Sequence, residues 1–481
     1  GGVPFRWLLR ENASNLAESL DLVYHDQAED QVRQVMEFDS VWVQDVANQR
    51  RLLDAFFSSV RPGGSLAFFY AKEVPFVEDP RRVLIGVGWV TSVGSNIEYE
   101  YASDGPTRSL IWERPVGHSI RPELTDGFLL PYQAGVERSL QDPSFDPAEL
   151  AVFIPDEAFE QYSYGSEHIS HDQAIGSLLN VIEGLERAER LLGVSMQAQL
   201  RWAGERLGEL WRMRGPFPGL GSALHAFGID HADLLAHRIA GRVADNDDPW
   251  GVVDQVISTP EILGTEWKKR IGPVTARKYQ ELSPERRALL HLIARFDLSN
   301  AQAVRVYVAE ERSAAGVTLT DSDLLANPYL LYEADRPAKD PIPVRTVDRG
   351  VYPAPVIVDK HPIPEPSAMT EAVDGRRVRA LLVAALERRA SGGDTLASAD
   401  ALVKDVRDEP LDPPCPIDAD LLHVLQSDLQ PAVLPVALGD GQPAMQLERL
   451  ARVGQGIRTE VTKRAGAAKR HAVAADWDAV L

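Results

Sequence analysis

Proline cannot continue a helix through its interior but fits its first turn, and glycine tolerates the corner before it. In this chain the pair stands at Gly272-Pro273, within Lys268-Lys269-Arg270-Ile271-Gly272-Pro273-Val274-Thr275-Ala276-Arg277-Lys278-Tyr279. The pattern predicts two short helices meeting at a glycine turn, the second beginning with backbone N–H groups that point outward. Such a start carries roughly half a positive charge and unsatisfied donors, which makes it a seat for phosphate. Lys268, Lys269, Arg270, Arg277 and Lys278 would surround it with mobile cations, and Thr275 falls in the same first turn. Gly272 would serve as the backbone-donor corner, and the basic residues as phosphate partners.

The chain has 481 residues, enough for three or four domains at about 100 to 200 residues each. Its formal charge is -21, so any contact with DNA has to be local, because an acidic field repels phosphate. Cations gather in two places: residues 268–278, and a tail holding Arg449, Arg452, Arg458, Lys463, Arg464, Lys469 and Arg470. A basic run is otherwise a solvated helix face. A single cysteine, Cys415, excludes a disulfide framework and a thiolate zinc site within the chain, and fits a reducing cytoplasm. No apolar run approaches the roughly 18 residues of a membrane span, so no membrane partner is expected. The start at Gly-Gly and the helix-like pattern at residues 476–481 suggest a segment of a longer protein.

Five regions follow from the changes of pattern. Residues 1–135 read as helices up to Pro62-Gly63-Gly64 and then as short strands: 65–70, 83–91 and 97–101. Short strands this close suggest a small bent barrel. Tyr70, Trp89 and Trp112 could stack on a base, although aromatics in a small barrel also build its core. His118 lacks a partner at metal spacing and reads as a core or capping residue.

Residues 145–260 are helical, with Ile175, Leu178, Leu179, Ile182 and Leu185 on one stripe. The polar knot Ser166-Glu167-His168-Ile169-Ser170-His171-Asp172 is a poor metal site, and Ser170 with Gln173 forms a capping box. Pro218-Gly219-Leu220-Gly221 makes a second glycine turn, so Gly219 and Gly221 join the candidate backbone clamps, beside Arg212, Arg214 and His225. His231 and His237 cannot share a metal, and Asp245-Asn246-Asp247-Asp248 lacks the glycine and glutamate of a calcium loop. No metal site is expected. Residues 261–335 hold the Gly272 corner and further helices, 336–370 carry eight prolines that favour an extended connector, and 371–481 read as a small helical domain.

Two resemblances to known families rest on these stretches. Phe68-Phe69-Tyr70-Ala71-Lys72, an acidic proline-bearing loop, and then Val83-Leu84-Ile85-Gly86-Val87-Gly88-Trp89-Val90 resemble the PUA and EVE group of small barrels, which implies a reader of single or modified nucleotides with Gly86 and Gly88 beside its pocket. The Gly272 hairpin, then Phe296-Asp297-Leu298-Ser299-Asn300-Ala301-Gln302-Ala303-Val304-Arg305-Val306-Tyr307, then Asn327-Pro328-Tyr329, resemble the amino-terminal region of RecD-like helicases of superfamily one. Residues 376–386 and 448–462 look like that family's helical domain before the motor, with Asp394 where the family has histidine.

The expected fold class is therefore α+β, mostly α: a small N-terminal barrel-like domain followed by helical domains with helix-hairpin-helix elements. The expected function is that of a non-catalytic DNA-binding portion of a RecD-like helicase, cytoplasmic, partnered by DNA and by a motor domain of the same protein. It would bear on DNA repair or phage defence. No Gly-x-x-x-x-Gly-Lys-Ser/Thr loop occurs in the 481 residues, so ATP and Mg belong to the motor alone and this chain carries no cofactor. The alternative is an acidic protein-interaction scaffold. A nuclease would need carboxylates clustered with a lysine, and Asp39 with Asp45, or Glu98 with Glu100, do not supply that order.

Overall fold

The computed structural model describes residues 1–35, 39–98, 110–244, 247–438 and 441–466. Readings that involve Tyr99, Glu100, Tyr101, Asp245, Asn246, Lys469, Arg470 and residues 476–481 lie outside the described residues. The chain divides into two units, one of residues 1–369 with 410–413 and one of 370–409 with the residues from 414 onward. The architecture is α+β and mostly α, with small antiparallel sheets that do not close into a barrel among the described residues.

The first unit opens with α1 (Arg10–Ser19), α2 (Asp26–Val35) and α3 (Val46–Ser58). Asp45 caps α3 by accepting from the Asn48 amide at 2.8 Å. Trp7, Leu8, Leu52, Leu53, Phe56 and Phe57 form the core beneath these helices. Six strands follow among the described residues: β1 (Leu66–Ala71), β2 (Val83–Val93), β3 (Ile97–Glu98), β4 (Leu110–Ile111), β5 (Val116–His118) and β6 (Gly127–Leu129). The long β2 is central. It pairs antiparallel with β1 on one edge, and with β6 and then β5 along the other.

Gly88 faces Gly127 across the β2–β6 ladder, and a Cβ on Gly88 would lie 2.7 Å from Ser119 Oγ. A Cβ on Gly86 would lie 2.6 Å from the Phe128 carbonyl oxygen. These glycines let strands cross closely.

After α4 (Tyr132–Gln141), α5 (His171–Leu192) begins at the expected box: Ser170 accepts from the Gln173 amide and Gln173 accepts from the Ser170 amide. Left-handed Gly193 ends it. Then come α6 (Gln197–Arg214), α7 (Leu220–Phe227), α8 (Ala232–Ala240), α9 (Trp250–Ser258), α10 (Trp267–Arg270) and α11 (Pro273–Gln280). The sequence continues through α12 (Pro284–Ile293), α13 (Asn300–Tyr307), α14 (Ala309–Ala314), α15 (Asp321–Ala326) and α16 (Leu330–Asp335).

The proline-rich strip is not an extended connector. It contains α17 (Val344–Val351), in which Val344, Val347, Asp348, Arg349 and Val351 are buried, and α18 (Pro355–Val358). Prolines at the starts and ends of these helices occupy positions where no N–H is needed, so the strip packs despite its composition. Gly350 allows this: a Cβ there would lie 2.2 Å from the Phe296 ring.

In the second unit α19 (Gly375–Ser391) buries Val378, Leu381, Leu382 and Leu386. Strand β7 (Ala397–Ser398) leads into α20 (Ala399–Arg407) and α21 (Ala419–Val424), and then β8 (Val433–Ala437) and β9 (Pro443–Leu447) complete a sheet of order β7-β9-β8. The last described element is α22 (Glu448–Ala465).

Candidate nucleic-acid interface

The Gly272 corner is anchored from beneath. Trp267, Ile271 and Tyr279 are buried at 2% exposure each, so one face of α10 and α11 is fixed in the core. The Tyr279 hydroxyl donates to Asp254 Oδ1 at 2.8 Å, Phe227 meets its ring edge-on, and Arg287 donates to its carbonyl at 2.9 Å. Burial together with the Asp254 carboxylate drives the Tyr279 phenol well above its ordinary pKa, so it stays protonated and keeps donating.

The opposite face is open. No side chain caps α11, so its first amides have no side-chain acceptor. A Cβ added to Gly272 would meet nothing within 4 Å. Around this opening the five predicted cations divide. Lys268 pairs with Glu261 at 2.6 Å, and the Arg270 guanidinium lies 5.0 Å over the Trp267 ring. Lys269, Arg277 and Lys278 are exposed and make no ion pair among the described residues. Thr275 is half-buried in the first turn of α11.

The other glycine corner is closed. Gly219 and Gly221 are buried, and the Gly219 amide donates to the Ala294 carbonyl at 3.0 Å. A Cβ on Gly219 would lie 1.9 Å from the Phe296 carbonyl oxygen, and one on Gly221 2.4 Å from Asp233 Oδ1. These two residues are packing glycines, and the phosphate clamp expected there is corrected on that ground.

The three aromatics proposed for base stacking do not share a surface. Tyr70 packs edge-on against Tyr162 at 5.3 Å and Trp89 lies 5.4 Å from the Arg206 guanidinium, both at the rim of the core under β1 and β2. Trp112 belongs to the N-terminal core, against Trp42 at 5.6 Å and Phe5 at 6.4 Å. Each is half-buried and packed on its neighbours. His118 is likewise engaged, meeting Phe69 at 4.6 Å.

In the polar knot, His168 stacks on Phe56 with ring centroids 4.0 Å apart and 9° between planes, and burial lowers its pKa to about 4. It is neutral at pH 7. Asp45 is a helix cap and Asp39 lies 3.4 Å from Arg33, which removes that pair as a hydrolytic couple. Among the described residues no group of three or more His, Cys, Asp or Glu could hold a metal ion.

A buried charge network escapes sequence reasoning. Arg214 grips Asp172 with two nitrogens, the longer contact at 3.4 Å, and donates to the Arg295 carbonyl at 3.0 Å. Arg349 of α17 lies 3.9 Å from Asp172 and 3.7 Å from Glu157. Its members come from α5, α6, α17 and the segment before α5, and no spacing in the sequence announces them. Its balanced charges and low exposure make it a staple for the helices.

No family model, no curated protein and no solved structure matches the chain.

Proposed function

We propose that this chain holds DNA backbone at the open Gly272 corner, as the non-catalytic portion of a RecD-like helicase, with α10 and α11 as a helix-hairpin-helix element. The observation that carries the proposal is the opening itself: an uncapped helix start with free space above Gly272, flanked by exposed Lys269, Arg277 and Lys278. Backbone amides would receive a phosphate and the three side chains would neutralise its neighbours, so binding would be independent of sequence. The order of the phrases from residue 260 to 465 is a second support. With a charge of -21, the contact is confined to this face.

In this reading the strands from β1 to β6 are an open relative of the PUA and EVE barrels without a base-stacking role. ATP and Mg²⁺ would act in a motor domain of the same protein, in the cytoplasm. Among the described residues no helix is long and apolar enough to cross a membrane.

The test is fluorescence anisotropy with oligonucleotides of unrelated sequence, single- and double-stranded, over a salt series. Lys269→Glu, Arg277→Glu and Lys278→Glu together should weaken binding equally for all sequences. Equal affinity for the native and triple-variant chains would sink the proposal. The acidic surface favours a second reading, a protein-docking scaffold, and failure to be retained on DNA-cellulose at low salt would establish it over the first.

A further inference from the structure

Helix α22 runs for 18 residues and buries none of them. Its start is tied down by buried Leu447 and by Arg449, whose Nε lies 3.0 Å from Glu387 Oε1. Beyond that point Val453, Ile457 and Val461 are 57%, 59% and 59% exposed and recur every fourth residue, so they form one stripe, which Leu450 and Ala465 extend. Gly454 and Gly456 lie within the helix with open space around them, and each costs about 1 kcal/mol relative to alanine. Helices of this length are marginal in water without an apolar face to bury. Among the described residues of the second unit, an exposed β-branched stripe on a helix weakened by two glycines is a surface without a cover.

The charges say what would cover it. Arg449, Arg452, Arg458, Lys463 and Arg464 stand against Glu448 and Glu460, a cationic helix on a chain of -21. Both halves carry the excess, so two copies of α22 would meet like charge whether parallel or antiparallel. An anionic lipid surface fits poorly, since the stripe has no Trp or Phe to anchor it. We infer that α22 docks into a protein groove with an apolar floor and a carboxylate rim, in the manner of an amphipathic helix laid in a groove. The stripe fills the floor, and Arg458 and Arg464 at its flanks pair with the rim.

Calcium-loaded calmodulin offers a groove of this chemistry and serves as the probe, titrated against the full chain by calorimetry. Saturable binding is expected, lost on chelating calcium and weakened by salt. Ile457→Glu should reduce affinity at least tenfold, and Arg458→Glu with Arg464→Glu should reduce it separately. All three positions are exposed, so unchanged melting curves confirm the fold. Hydrogen exchange of α22 should be fast in the free chain and slowed by calmodulin.

The inference is overturned if no saturable binding occurs or if both variants bind like the native chain. It is overturned also by protection of α22 in the free chain, which would mean that the helix is already covered. A dimer in light scattering that Ile457→Glu dissolves would assign the stripe to a second copy. Tighter binding to vesicles with 30% phosphatidylserine (roughly a cytoplasmic leaflet's charge) would assign it to lipid.

Discussion

Tyr329 donates its hydroxyl hydrogen to Asp348 Oδ1 at 2.5 Å, and both residues are buried. The bond joins the Asn-Pro-Tyr phrase to α17, inside the strip whose prolines suggest a loose tether. A hydrogen bond to a charged group is worth about 1.5–3 kcal/mol. Tyr329→Phe should therefore lower unfolding stability by about that amount in a urea titration with unchanged slope. A loss below about 0.5 kcal/mol would show that the carboxylate is served equally well without the tyrosine.

The two glycine corners should respond in opposite ways to the same substitution. Gly219→Ala places a methyl 1.9 Å from the Phe296 carbonyl oxygen, and overpacking of this kind costs about 1–3 kcal/mol or more. Gly272→Ala adds its methyl to open space at φ -71, and should stay within about 0.5 kcal/mol of the native chain in the same melt. Equal destabilisation at both sites would contradict the packing described.

Salt dependence measures how many phosphates the Gly272 face neutralises. Each lost contact lowers the slope of log K against log salt by about 0.7 to 0.9. Reversing Lys269, Arg277 and Lys278 should accordingly lower it by roughly 2 to 3. Reversing Lys268, which is already paired with Glu261, should change it less.

Acid should destabilise the fold through its buried histidines. Burial lowers the pKa of both His168 and His291 to about 4. The unfolded chain takes up these protons near the ordinary value of about 6.5, so it binds more protons than the native state between there and 4. Stability is complete above pH 6.5 and falls as pH drops through that window, by about 3 kcal/mol for each residue. His168→Gln should flatten its share of the profile in denaturant melts from pH 7 to 4. A profile as steep as the native one would show that His168 is not held neutral.

Asp172→Asn should cost about 3–5 kcal/mol, because Arg214 and Arg349 would remain buried with their shared counter-charge gone. Thermal melting against the native chain checks it.

Much of the helical order is legible in the sequence because period and caps agree. Ser170 with Gln173 marks the start of α5 as a box, and the box forms. The strands around Val83 are legible from β-branched and aromatic runs. What local pattern cannot convey is what lies across from a residue. Gly219 and Gly272 read as similar turns in the sequence, and the arrival of Phe296 over one of them separates a filled corner from a vacant one. Likewise eight prolines argue for an extended chain until Phe296, Tyr329 and Asp172 are seen to receive Gly350, Asp348 and Arg349.

The Trp211 indole donates to Asp412 at 2.6 Å, and residues 410–413 belong with the first unit although the chain has by then left it at residue 369. A stop codon after Met369 would thus remove an acceptor from a tryptophan that is 1% exposed. Anyone wishing to express the first unit by itself has to splice the 410–413 segment back in, or expect a product that aggregates.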